Sequence, residues 1–298
     1  MTESAATRVR AELVGGRTRF TELRAGTFLR PRPLSVDGPV ARLALVGSYA
    51  TLLAGDDLRI EVDVGPGVWL ELVEPSGTVA YDAQGGEAHW SAQLRVAQGG
   101  RLVWRGAPFV VTAGANLRRD TRVSVEAGAR VLLSETLVLG RTYEDGGGPL
   151  RSTMRVDHAG RPLLVEDLDL REAGHRERPG IMADNRAMTS VLLLGARPAE
   201  VHGRHESRFA GEGAMARALA RHAHDAEAAV DGAWHRWRGE FADPGRHRVG
   251  PTPDDGPRPA DGASAGSPHR SAAEAATLVR RFRHRSAAEP QPPAPPFG

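Results

Sequence analysis

Carboxylates and imidazoles are the side chains in this sequence that could do chemistry. In Leu163-Leu164-Val165-Glu166-Asp167-Leu168-Asp169-Leu170 the acids fall on alternate positions, as on a strand. Asp167 and Asp169 then share one face, while Glu166 shares the other with Leu164, Leu168 and Leu170. A carboxylate among leucines is either paired, for instance with Arg151 or Arg155, or lines something wet. A second acidic pair, Asp56-Asp57, follows Gly55, a residue suited to a tight corner. Two such carboxylates facing one another across a cleft would be the machinery of a glycosidase. The histidines His202, His205, His222, His224 and His235 lie near a helical segment. The spacing His202-x-x-His205-Glu206 fits neither metalloprotease pattern, and His222-x-His224 would splay its rings on a helix. Exposed histidines are the favoured reading, and a transient soft site for nickel or zinc is the alternative. Gly262-Ala263-Ser264-Ala265-Gly266 has the spelling of a nucleophile elbow but lies in a proline-rich tail, without the strand and helix that motif needs.

Composition removes other chemistries. Cys 0 excludes disulfides, thiolate metal sites and thiol catalysis. The sequence holds no lysine, so all 39 basic residues are arginines, and Schiff-base and P-loop chemistry are excluded. The formal charge of +2, with arginines interleaved among acids as in Arg59-Ile60-Glu61, points to solvated strand faces and away from nucleic acid. There is no apolar run of membrane-spanning length and no signal-like start, so no membrane association is expected and a cytoplasmic location is.

These side chains must be positioned by strands. Val62-x-Val64-x-x-Gly67-x-x-Leu70-x-Leu72 superposes position by position on Leu94-x-Val96-x-x-Gly99-x-x-Leu102-x-Trp104 and on Val123-x-Val125-x-x-Gly128-x-x-Val131-x-Leu133. A looser fourth copy runs from Met154-x-Val156 through Gly160 to Leu163. A period near thirty residues with one strand, corner and strand per copy predicts a mainly β fold of β-helix or solenoid-like stacked layers, favoured over a β-sandwich. Residues 1–18 read as a frayed N-terminal segment, with an edge strand or two starting there. Arg171 to Arg186 reads as a mobile loop or lid, and Thr189 to Leu194 as one more β-run. Met215, Leu219, His222 or Ala223, Ala226, Val230, Ala233 or Trp234 and Trp237 step by three and four, which predicts short C-terminal α-helices over about 212–240. Residues 242–298, where 11 of the 21 prolines lie between residues 243 and 298, read as a disordered tail carrying one short basic patch, Leu278 to Arg285.

From Leu52 onward the order of motifs resembles the urease accessory protein UreD (UreH) family. The matching pieces are Ala54-Gly55-Asp56-Asp57-Leu58, Gly77-Thr78-Val79-Ala80-Tyr81-Asp82, Ala107-Pro108-Phe109, Leu137-Val138-Leu139-Gly140-Arg141 and Leu163-Leu164-Val165-Glu166-Asp167-Leu168, closed by Ala233-Trp234-His235-Arg236-Trp237-Arg238. The resemblance covers residues 19–240 and implies a β-helical domain over 19–241.

It also implies a protein that is not an enzyme. Members of this family bind apo-urease and act with UreF and the GTPase UreG to deliver nickel to the urease active site, through an internal watery path and without a tightly bound cofactor. On that reading Asp56 and Glu166 are the candidate carboxylates of a metal path, since oxygen ligands hold nickel loosely enough to release it. Leu193, Trp234 and Trp237 are the candidate partner-binding residues, as apolar faces for another subunit to cover. A β-helix enzyme acting on carbohydrate, with Asp56, Asp57, Glu166 and Asp169, and a plain interaction module without a metal role are the alternatives.

Overall fold

The computed structural model describes residues 4–49 and 51–242. The expected disordered tail, its Gly262-Ala263-Ser264-Ala265-Gly266 motif and its basic patch lie outside the described residues.

Alternation of apolar and polar side chains sets the strands. The first five are β1 (Thr7–Val14), β2 (Arg17–Arg24), β3 (Leu29–Asp37), β4 (Val40–Gly47) and β5 (Thr51–Leu52). Three stacked coils follow. The first is β6 (Asp57–Val64), β7 (Trp69–Val73) and β8 (Thr78–Ala80); the second is β9 (Ala88–Val96), β10 (Arg101–Arg105) and β11 (Phe109–Val111). In the third, β12 (Leu117–Val125) is followed by a single long strand, β13 (Arg130–Leu139), which pairs with β10 through its first half and with β11 through its second. Strands at the same place in successive coils pair in parallel and in register, so Val62, Leu94 and Val123 stand in one row, and Leu70, Leu102 and Val131 in another. These are the positions that superpose in the sequence repeat. The corner glycines Gly67, Gly99 and Gly128 sit at φ of 71°, 71° and 75°, a conformation that costs a side chain energy and glycine almost none.

The fourth copy of the repeat closes the stack. β14 (Leu150–His158) adds in parallel to β12, but Ala159 and Gly160, both with positive φ, form a two-residue hairpin into β15 (Arg161–Asp169), which runs antiparallel. The opposite sheet closes in the same way through β16 (Ala187–Leu194) and β18 (Gly213–Ala220), with β17 (Glu206–Arg208) at the edge. The result is a seven-stranded sheet, β15-β14-β12-β9-β6-β1-β2, facing an eleven-stranded one with the main apolar core between them.

Four expectations are corrected. Residues 1–18 are not frayed throughout: β1 lies between β6 and β2, with Val9 and Ala11 in the core. The stretch from Arg171 to Arg186 holds a short helix, α1 (Ala173–Arg176); Arg176 donates to the carbonyls of Gly147 and Gly148, and Met182 is buried. The helix expected to begin near 212 begins later. Met215 and Leu219 belong to β18, and one helix, α2 (Ala223–Ala242), follows it. The reason is that Ala214, Ala216 and Ala218 alternate as the buried face of β18 beneath α2, where small side chains let the helix come close. Finally, Leu193, Trp234 and Trp237, expected to wait for a partner, are 1%, 5% and 0% exposed and pack on one another's elements in a second core between α2 and the larger sheet.

That second core is pinned by Trp69 edge-on to Phe241 at 5.7 Å, by Arg105 to Asp231 at 3.0 Å and by Arg238 to Glu71 at 2.6 Å. Replacing Trp237 with alanine removes a fully buried indole, and we expect a loss of about 3–5 kcal/mol in urea unfolding of the chain without partners. A loss under about 1 kcal/mol would show that α2 is not part of the core.

Candidate functional site

Between the two sheets the apolar ladders are interrupted by a row of polar side chains. On β12 the inward positions are Leu117, Arg119, Thr121, Val123 and Val125, so an arginine and a threonine occupy core places. Arg119 is 6% exposed. Its Nη2 donates to Oε2 of Glu135 on β13 at 2.6 Å and its Nη1 to the Ser152 hydroxyl of β14 at 3.4 Å, and its guanidinium lies 4.4 Å from the centre of the Trp90 ring. Taking two charges out of water is costly, so this ion pair holds Arg119 only because bonds and the ring face share the load.

Glu135, Ser190 and Arg217 stand opposite one another across β13, β16 and β18. Arg217 donates from Nε to the Ser190 hydroxyl at 2.9 Å and from Nη1 and Nη2 to both oxygens of Glu166, the second at 2.8 Å. Burial works against the charge on Arg217, but hydrogen bonds and attraction from Glu166, aided by Glu135, hold it above its ordinary value. Since Glu166 comes from β15 of the other sheet, the row is a belt across the interior: Arg119, Glu135, Ser190, Arg217, Glu166. Its four charges cancel. On the α2 side of β13, the Thr136 hydroxyl meets Thr189 at 3.1 Å and Glu227 of α2 at 3.0 Å, which carries polar contact from the core to the helix.

Arg119 and Glu135 line a cavity of about 50 Å³ with Glu74, Thr78, Trp104 and Thr121 among its other walls. Nε of Arg119 and the hydroxyl of Thr121 are buried there without a protein partner. A water needs about 10–15 Å³ and two or more polar partners, so this space has both the room and the donors for a few waters.

The cavity exists because the ladder breaks. Where β13 runs unbroken, the earlier coils part between β7 and β8 and between β10 and β11, at Glu74 to Gly77 and Gly106 to Pro108. The Glu74 carboxylate fills the break by accepting from the freed backbone N–H of Ala107 and from Nε1 of Trp104, each at 3.0 Å. Burial pushes its pKa up to about 7, against the pull of those two hydrogen bonds and of the Arg119 charge.

The sequence candidates fare unevenly. Glu166 is paired, though with Arg217 and not with Arg151 or Arg155, which bind Asp167 and Asp157. Asp56 is outside the cavity and closes its own turn, accepting from the N–H of Leu53 at 2.7 Å. Asp57 pairs with Arg59, and Arg171 holds the carboxyl of Asp169 well below the usual carboxylate range. His202, His224 and His235 each face an acid, His205 meets the carbonyl of Arg217, and no group of three metal-ligating side chains occurs among the described residues. Arg119, Glu135 and Glu74 went unread. Counting back by two from Val123 reaches Arg119, and Ser134-Glu135-Thr136 is the polar break in the apolar run of β13, so both signals were present.

The fold is a β-solenoid with a charged belt between its two sheets. The family model described as UreD urease accessory protein matches residues 3–250. The chain is similar to urease accessory protein UreD 1 of Streptomyces griseus subsp. griseus, 48% identical over 76% of this chain and 88% of that protein. It is also similar to urease accessory protein UreD 2 of Saccharopolyspora erythraea, 31% identical over 70% of this chain and 73% of that protein, and to urease accessory protein UreD of Xanthobacter autotrophicus, 31% identical over 63% and 66%. The chain belongs to the UreD urease accessory protein family.

Glu74 gives a test by pH. A carboxyl that binds its proton up to about pH 7 when folded and only up to about 4.5 when unfolded makes the folded state lose stability as pH rises between those values. Glu74→Gln has no proton to lose. In urea titrations we expect the wild type to fall relative to this variant by about 2–3 kcal/mol from pH 5 to pH 8, and a constant difference would place the Glu74 carboxyl in water.

Proposed function

We propose that this chain is a urease maturation scaffold that binds apo-urease and, with UreF-like and UreG-like partners, passes nickel through its own interior. The observation that carries the reading is the belt of carboxylates and hydroxyls beside a cavity with unpaired donors, set inside a fold whose core is otherwise mainly apolar. Carboxylate and hydroxyl oxygens are hard, weak ligands for nickel, which suits passage better than storage. Nickel here is cargo. Glu135 and Glu166 are the carboxylates along the route; Asp56 holds a corner outside the cavity. Since the chain holds no lysine, a P-loop GTPase step belongs to another protein.

The partner surface in this reading is not the Trp234 and Trp237 face of α2, which packs on the larger sheet. Exposed apolar side chains remain elsewhere: Tyr49, Leu53 and Tyr143 are 64%, 51% and 77% exposed, and Tyr81 and Tyr143 both flank the guanidinium of Arg141. No helix among the described residues is long and apolar enough to cross a membrane. The work is proposed to take place in the cytoplasm, where urease would be assembled.

Urease activation in a reconstituted system tests the reading. Glu135→Gln and Glu166→Gln keep the shape of the belt but remove charge, and each should lower nickel-dependent activation about ten-fold or more while circular dichroism and partner pull-down stay normal. Asp56→Ala should activate as the wild type does. Full activation by both belt variants would remove the interior from nickel transfer and leave a plain interaction module.

A further inference from the structure

The belt that could carry a cation is, as it stands, closed to one. Each of its carboxylates is already taken by an arginine: Glu135 by Arg119 at 2.6 Å, and Glu166 by both terminal nitrogens of Arg217. A divalent ion arriving at Glu135 meets a fixed positive charge at contact distance. Like charges at contact distance away from bulk water repel strongly, and a divalent ion doubles that cost. Ion and guanidinium therefore exclude one another from the same carboxylate.

Of the two arginines, only Arg119 is built to move. Arg217 is tied through all three of its nitrogens, to Ser190 and twice to Glu166. Arg119 has one short bond, to Glu135, and a long one, to Ser152, while its Nε lacks a protein partner and borders the cavity. The ring of Trp90 under the guanidinium attracts its charge from the face without fixing its direction. Two carboxylates line the cavity with it: Glu135, which it holds, and Glu74, in the break between β7 and β8, whose carboxyl feels its charge. The guanidinium thus has a second carboxylate to turn to.

We propose that Arg119 is an internal latch: its guanidinium occupies the cation site at Glu135 and must release that carboxylate, turning toward Glu74, before a divalent cation can pass. The inference rests on the nickel-path reading and adds its regulation. A resident counter-ion keeps the interior neutral when no cargo is present, and it keeps a free carboxylate from trapping whatever divalent ion is most abundant. Arg119 is a positioning residue here, since it acts on the ion through Glu135.

Nickel binding to the purified full-length chain, measured with Ni²⁺ alone by equilibrium dialysis, separates the latch from the path. The wild type and Arg119→Lys should show weak binding. Arg119→Met should bind one further Ni²⁺ about ten-fold or more tightly, and Arg119→Met combined with Glu135→Gln should lose that site again. If Arg119→Met does not fold, Arg119→Gln, which can keep the bond to Ser152, takes its place under the same expectation. Binding by the folded variant no tighter than by the wild type would overturn the latch, as would a gain that survives loss of the Glu135 carboxylate. Activation assays on Glu135→Gln report on the path alone. Normal activation there together with the gained site in Arg119→Met would abandon nickel transfer but keep the exchange of guanidinium for metal.

Discussion

An arginine cannot be left alone in the core of a β-stack, and much of this molecule follows from housing one. Arg119 sits on an inward position of β12, where its neighbours on the same face are Leu117, Thr121, Val123 and Val125. Breaking a buried ion pair from one side typically costs about 3–5 kcal/mol, so Glu135 on the facing sheet offsets a charge that would otherwise be costly. Trp90 supplies an aromatic face, Ser152 a hydroxyl, and the cavity room for water at Nε. An apolar side chain at position 119 would make all four unnecessary. The proposed nickel route rests on this costly charged belt inside an otherwise mainly apolar core.

The scaffold around the belt allows this because its stability comes from elsewhere. Parallel strands in register bury one ladder of aliphatic side chains per position, and the outward faces carry arginine and acid pairs such as Arg8 with Glu61 and Arg95 with Asp63. Such surface pairs contribute little each, but they keep a wide sheet face hydrated. One end of the stack is closed by antiparallel strands, β15 on one sheet and β16 with β18 on the other, and those same three strands bring Glu166, Ser190 and Arg217 to the belt. Closure and site are therefore one construction. The helix α2 covers the larger sheet from outside and touches the site through Glu227 and Thr136.

The stacked architecture was legible because its corners need glycine. Gly67, Gly99 and Gly128 mark a turn that side chains resist, and the residues between them carry simple alternation. The C-terminal region was less legible. Alanines at 214, 216 and 218 carry almost no hydrophobic signal, so Met215 and Leu219 suggested a helix where a strand lies under one. A carboxylate among leucines is either paired or lines something wet, and the partner of Glu166 was not legible because Arg217 is 51 residues away and joins it only after two strands have closed the stack. Leu193, Trp234 and Trp237 read as a face for a partner, but the chain itself covers that face. Arg119 required knowing the phase of β12, and the family resemblance drew attention to Asp56 instead.

The account stands on a wet interior, and ordered water is its most direct test. A crystal structure of the chain at a resolution that shows solvent should place water in the cavity between Glu74, Arg119 and Thr121, within hydrogen-bond distance of Nε of Arg119 and the Thr121 hydroxyl. Density for side chains closed over that space, with both atoms satisfied by protein and no water present, would contradict it.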